Sequence, residues 1–177
     1  MAMEIWLVRH TSVDVPAGTC YGRTDVPLRP TFAAEAAQVR QQLEGIPFDA
    51  VFCSPLSRCT RLAEACGYGD ARRDERLLEL NFGAWEMQRF EAIADPQLQR
   101  WFDNWLDTVP TGGESFAQQI VRVGNFLDEL RQYPYERVLC FAHGGVQLCA
   151  GVHAGLWPAH EAFDHNLPYG AILPIKL

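Results

Sequence analysis

The chain has 177 residues, of which 48% are apolar and 21% charged, a composition that excludes disordered and fibrous proteins and a length that suits one domain over residues 1–177. Its formal net charge of -7 excludes bulk nucleic-acid binding, which needs a basic face to release counterions from phosphates. Lys176 is the only lysine; arginine's planar fork suits phosphate, although base composition explains the bias more simply.

In chain order, Ile5-Trp6-Leu7-Val8 is an apolar run ending at Arg9-His10, the pattern of a strand buried on both faces of a parallel sheet. With four apolar residues it is too short for a signal-peptide core or a membrane span. Residues 11 to 30 hold Pro16, Gly18, Gly22, Pro27 and Pro30, so a long irregular loop lies over that strand's end. Apolar spacing from Phe32 to Leu43 predicts a helix, closed by Gly45 and Pro47. Phe48 to Cys53 reads as a second strand, and Ser54-Pro55 as the cap and first position of a helix carrying Arg58 and Arg61.

Residues 81–130 read as a helical covering insertion, with Trp101, Phe102 and Trp105 in one helix and Phe116 to Leu130 in another. Val138 to Ala142 is a third buried strand, ending at His143-Gly144-Gly145 much as the first ends at Arg9-His10. A last strand at Gly170 to Ile175 completes the expected fold, an α/β, three-layer, mostly parallel sheet with helices on both faces. The six cysteines form no C-x-x-C pair, which fits reduced thiols and a cytoplasmic protein.

Ligands of open α/β sheets bind beyond the carboxyl ends of the strands, where His10, Arg9, Arg58 and His143 converge. Two imidazoles, two guanidiniums and a Gly-Gly helix start are equipment for holding a phosphoryl group. Imidazole is basic yet largely neutral near pH 7, so His10 can act as the nucleophile. Arg9, Arg58, His143 and the Gly144 backbone can stabilise the transferring group without a metal or other cofactor. Glu79, in a shielded pocket, can protonate the leaving group.

These residues carry a resemblance to the histidine phosphatase (phosphoglycerate-mutase-like) superfamily: Leu7-Val8-Arg9-His10, Ser54-Pro55-Leu56-Ser57-Arg58-Cys59, Glu79 with Phe82-Gly83-Ala84-Trp85-Glu86, and His143-Gly144-Gly145. The resemblance implies a phosphoglycerate-mutase-like fold, a phosphorylated His10, phosphate binding by Arg9, Arg58 and His143, and Glu79 as proton donor. Arg9-His10-Thr11 with the Cys20 to Leu28 segment resembles the α-ribazole-5'-phosphate phosphatase branch, which acts late in cobalamin assembly. The substrate implied is a small phosphomonoester. Thr11 and Met87 stand where the wider family commonly has glycine.

Rival readings remain at this point. Glu86 competes with Glu79 for the acid role, and Arg23 reads as either a phosphate contact or a substrate contact from the loop. His10, His143 and Glu79 make a weak metal set, because no H-x-x-x-H or C-x-x-C spacing supports it. Trp101 and Trp105 share a helix face and read first as core, second as pocket lining. His153, His160 and His165 have no assigned role, although a substrate-facing loop near His165 is conceivable. A phosphoglycerate mutase and a non-catalytic phospholigand binder are the competing functions. Oligomeric state stays open, a homodimer included.

Overall fold

The strands β1 (Glu4–Arg9) and β4 (Arg137–Ala142) run side by side in parallel, from Glu4 opposite Arg137 to Arg9 opposite Ala142. Successive side chains leave opposite faces of a strand. Ile5, Leu7, Val138 and Cys140 accordingly enter one buried cluster, and Val8, Leu139 and Phe141 another. Both faces are therefore covered, which is why the two sequences read as unbroken apolar runs.

The computed structural model describes residues 2–177. Three shorter strands complete the sheet: β2 (Ala50–Cys53), β3 (Arg72–Arg73) and β5 (Ile172–Lys176). Their order is β3-β2-β4-β1-β5, and each pairing is parallel except that of β1 with β5. Helices α1 (Phe32–Leu43) and α2 (Ser57–Ala65) bury Val39, Leu43, Cys59 and Leu62 against one face. A short helix, α3 (Gln97–Asp103), lies over a small cluster of Cys20, Trp85 and Leu98. On the other face α4 (Phe116–Leu130) and α5 (Gly144–His153) bury Val123, Phe126, Leu127, Val146 and Cys149. Each such large apolar side chain stabilises the fold by roughly 1.5–3 kcal/mol. The mostly parallel, three-layer arrangement read from the sequence is the one observed.

Local expectations differ at three places. Ser54 does not cap α2; the helix starts at Ser57, whose N–H and hydroxyl both donate to Asp25 Oδ1 from the 11–30 loop, at 3.0 and 2.6 Å. Residues 81–115 are mostly irregular, with 3-10 turns at Gly83–Trp85 and Phe90–Ala92, and Trp105 lies beyond the end of α3. Side-chain bonds such as Trp85 Nε1 to Asp95 Oδ2 at 3.0 Å hold this stretch in place of a helical ladder. The strand β3 consists of two arginines with exposed side chains, so it carries no apolar signal.

At its N-terminus α4 has a reciprocal cap: Gln118 N donates to Ser115 Oγ at 3.1 Å and Ser115 N to Gln118 Oε1 at 2.8 Å. That satisfies two of the orphan donors of a helix start and fixes the entry of the helix that carries Gln119.

Candidate active site

Because Arg9 and Ala142 are register partners, the residues that follow them leave the sheet together, on strands roughly 4.8 Å apart. The rings of His10 and His143 meet with centroids 5.3 Å apart and planes at 66°. Both are buried, at 2% and 0% exposure. His10 Nδ1 lies 2.7 Å from the Thr11 carbonyl oxygen, which can only accept, so Nδ1 carries the hydrogen and Nε2 keeps a free lone pair. Burial, then the charges of His143 and Arg58, hold the His10 pKa well below the usual 6.5. His143 is held well below the same value by burial first and then by Arg58, and its Nε2 meets Ser54 Oγ at 2.8 Å. The serine read as a helix cap orients this imidazole instead.

The two guanidiniums approach from opposite faces of the sheet. Arg9 leaves β1 on the α5 side, where a side chain on Gly144 would crowd its Nε at 3.0 Å, and its Nη1 donates to the Leu167 carbonyl at 2.5 Å. Arg58 leaves α2 fully buried; its Nη1 donates to Thr24 O at 2.7 Å and its Nη2 to Gly22 O. Among the described residues neither arginine has a carboxylate within ion-pair distance, and the Nε of each is buried without a partner. Two guanidiniums without carboxylate partners and with spare donors have the chemistry to hold an anion.

Two tyrosines brace it. The Arg9 guanidinium lies over the Tyr169 ring at 4.2 Å and that of Arg58 over Tyr21 at 5.4 Å, while the two hydroxyls meet at 3.1 Å. Tyr169 also packs beside His10, with ring centroids 5.6 Å apart. Sequence reading missed Tyr169, which sits in a loop with no periodic pattern to mark it.

Glu79 completes the cluster. Its Oε1 accepts from Leu80 N and Gln119 Nε2, both at 2.9 Å, and its Oε2 from Gly145 N at 3.0 Å. Gly145 is required here because a Cβ would overlap Glu79 Oε1. Arg9, His10, Tyr21, Glu79, Gln119, Gly144 and Gly145 open on a cleft of about 360 Å³, whose outer wall is Leu80, Phe82, Phe90, Phe116, Phe163 and Asn166.

The remaining expected residues sit elsewhere. Glu86 lies outside the cleft lining; its Oε1 accepts from Gly22 N, Thr24 N and Thr24 Oγ1 at 2.7–3.0 Å, and its Oε2 from Phe82 N at 3.2 Å. Arg23 pairs with Glu114 at 3.5 Å and does not line the cleft. Trp101 packs on Phe82 and Phe90, and Trp105 on Phe116 and Phe163, so both stand behind the outer wall. His165 stacks on Trp157 at 4.5 Å. Among the described residues no three His, Cys, Asp or Glu side chains converge as a metal-holding group, and no helix is long and apolar enough to cross a membrane.

Residues 5–177 match the family model described as histidine phosphatase superfamily (branch 1). The chain belongs to the histidine phosphatase superfamily. It is an enzyme of the phosphatase class. It is 32% identical to the adenosylcobalamin/alpha-ribazole phosphatase of Salmonella typhimurium over 152 residues, 81% of this chain and 75% of that protein. It is 28% identical to phosphoserine phosphatase 1 of Hydrogenobacter thermophilus over 138 residues, 73% of this chain and 65% of that one. The crystal structure of the alpha-ribazole phosphatase from Shigella flexneri superposes with a TM-score of 0.87 at 26% identity, over 97% of this chain and 89% of that one. In this histidine phosphatase Arg9, His10, Glu79 and Gly144 line one cleft, whereas Arg58 and His143 are fully buried and stand outside its lining, His143 against the His10 ring.

Proposed function

We propose that the chain hydrolyses a small phosphomonoester through a phosphohistidine on His10, and that the ester is α-ribazole 5'-phosphate, a step of cobalamin biosynthesis. The observation that carries the chemistry is the free Nε2 lone pair of His10, fixed by the Thr11 carbonyl and kept unprotonated by burial. Nε2 attacks phosphorus, the ester P–O bond breaks, and Glu79 gives its proton to the departing alkoxide. Both lone pairs of Glu79 Oε1 already face N–H donors, so the transferable proton belongs on Oε2. Water then attacks phosphorus, the P–N bond breaks with its electron pair returning to His10, and Glu79 takes the water's proton. Arg9, Arg58, His143 and the Gly144 backbone hold the charge on the phosphoryl oxygens throughout.

Two observations support the substrate. Four phenylalanines wall the cleft beside the anion site, which suits an alcohol carrying a flat aromatic base rather than a small zwitterion such as serine. The likeness to proteins named alpha-ribazole phosphatase points the same way. We also infer one domain over residues 1–177, because β1 and β5 from the two ends of the chain pair within the sheet that carries the site, and a cytoplasmic location, because all six cysteines are free and buried. Assay against a phosphoester panel is expected to favour α-ribazole 5'-phosphate; preference for phosphoserine or sugar phosphates would overturn the substrate. His10→Ala is expected to lose acid-labile phosphoenzyme and at least about a thousandfold in turnover; unchanged turnover would overturn the nucleophile.

A further inference from the structure

Gln119 stands out among the groups that the phosphotransfer steps leave unused. It is fully buried yet lines the cleft. Its Nε2 donates to Glu79 Oε1 at 2.9 Å, and this contact orients the amide, since an ionised carboxylate accepts only. The other end of the amide, Oε1, is buried with no hydrogen-bond partner among the described residues. An orphaned buried acceptor costs roughly 1–3 kcal/mol, and here it belongs to a side chain that lines the cleft and is bonded to the carboxylate that has to take a proton from water.

We propose that Gln119 is the positioning residue for the hydrolytic water, a reading that rests on the phosphohistidine route above. An attacking water has two hydrogens. Glu79 accepts the one that is transferred; the second needs an acceptor as well, or the molecule turns its lone pair away from phosphorus. Gln119 Oε1 is that acceptor, and its own Nε2 keeps base and acceptor at a set spacing. The bonds made and broken are those of the second half-reaction: O–P forms, P–Nε2 breaks, and one proton passes to Glu79. During the first half-reaction the same oxygen can accept from a hydroxyl of the substrate.

Water and an alcohol differ in the feature that matters, because methanol has one hydroxyl hydrogen and that one goes to Glu79. Methanol therefore needs no acceptor at Gln119. The test measures the ratio of methyl phosphate to inorganic phosphate formed from 4-nitrophenyl phosphate in aqueous methanol, by native enzyme and by Gln119→Met. The ratio is internal to each phosphoenzyme, so it is independent of how much of the variant folds. It is expected to rise about five- to tenfold in the variant, the equivalent of one lost hydrogen bond, with phosphate release slowed. An unchanged ratio with both products slowed together would mean that Gln119 only braces Glu79, and would overturn the proposal. Absence of methyl phosphate and of acid-labile phosphoenzyme from the native enzyme would instead overturn the phosphohistidine route itself.

Discussion

Acidification is expected to destabilise this protein earlier than carboxylate titration alone would. His10 and His143 are buried and neutral, with pKa values held well below 6.5 chiefly by burial. In the unfolded chain both protonate near their ordinary value, so below about pH 6.5 the unfolded state binds protons that the folded state does not, and stability falls as pH falls. At about pH 5.5 an ordinary histidine gains about 1.4 kcal/mol from protonation, which makes about 3 kcal/mol for the pair. Asp49 and Asp95, held low by hydrogen bonds from Arg137 and Thr111, act with the same sign but only below about their usual 3.8. Urea unfolding at about pH 7.5 and about pH 5.5 reads the difference, for the native chain and for His10→Gln combined with His143→Gln. The double variant is expected to lose about 3 kcal/mol less on acidification; an equal loss in both chains would refute the neutral, buried pair.

Two further substitutions separate positioning from chemistry. Glu86→Gln weakens three bonds that hold Gly22 and Thr24, whose carbonyls anchor Arg58; phosphate inhibition is expected to weaken about tenfold, measured as a raised Ki with kcat nearly unchanged. Gly145→Ala places a methyl group against the Glu79 carboxylate and is expected to lower kcat on an alkyl phosphate at least about a hundredfold, while circular dichroism still shows the native fold.

The frame of the molecule was legible because its signals are local. Apolar runs end at histidines, and the rule that ligands bind beyond the carboxyl ends of strands led to the expectation that His10 and His143 converge; that they touch follows from the parallel pairing of β1 with β4, which the structure supplies. Sequence left Glu79 and Glu86 as rivals for the acid role; the coordinates add that Glu79 lines the cleft and Glu86 does not, a difference set by distant partners, Gly145 and Gln119 for one and Gly22 and Thr24 for the other. Ser54 was misread because a serine before proline resembles a helix cap, whereas its hydroxyl meets a ring that lies 89 residues away in sequence. Tyr169 and Gln119 carry no periodicity or spacing of their own; their place depends on how loops and α4 pack across the end of the sheet.

The way Arg9 and Arg58 are held has a consequence for the resting enzyme. Both are moored by neutral peptide oxygens, and among the described residues no carboxylate pairs with either guanidinium. A dianion bound beside them offsets their like charges as well as forming bonds. Orthophosphate, the product, should accordingly raise the melting temperature in proportion to the logarithm of its concentration, and the same offset makes departure of product, rather than bond cleavage, a natural brake on the catalytic cycle.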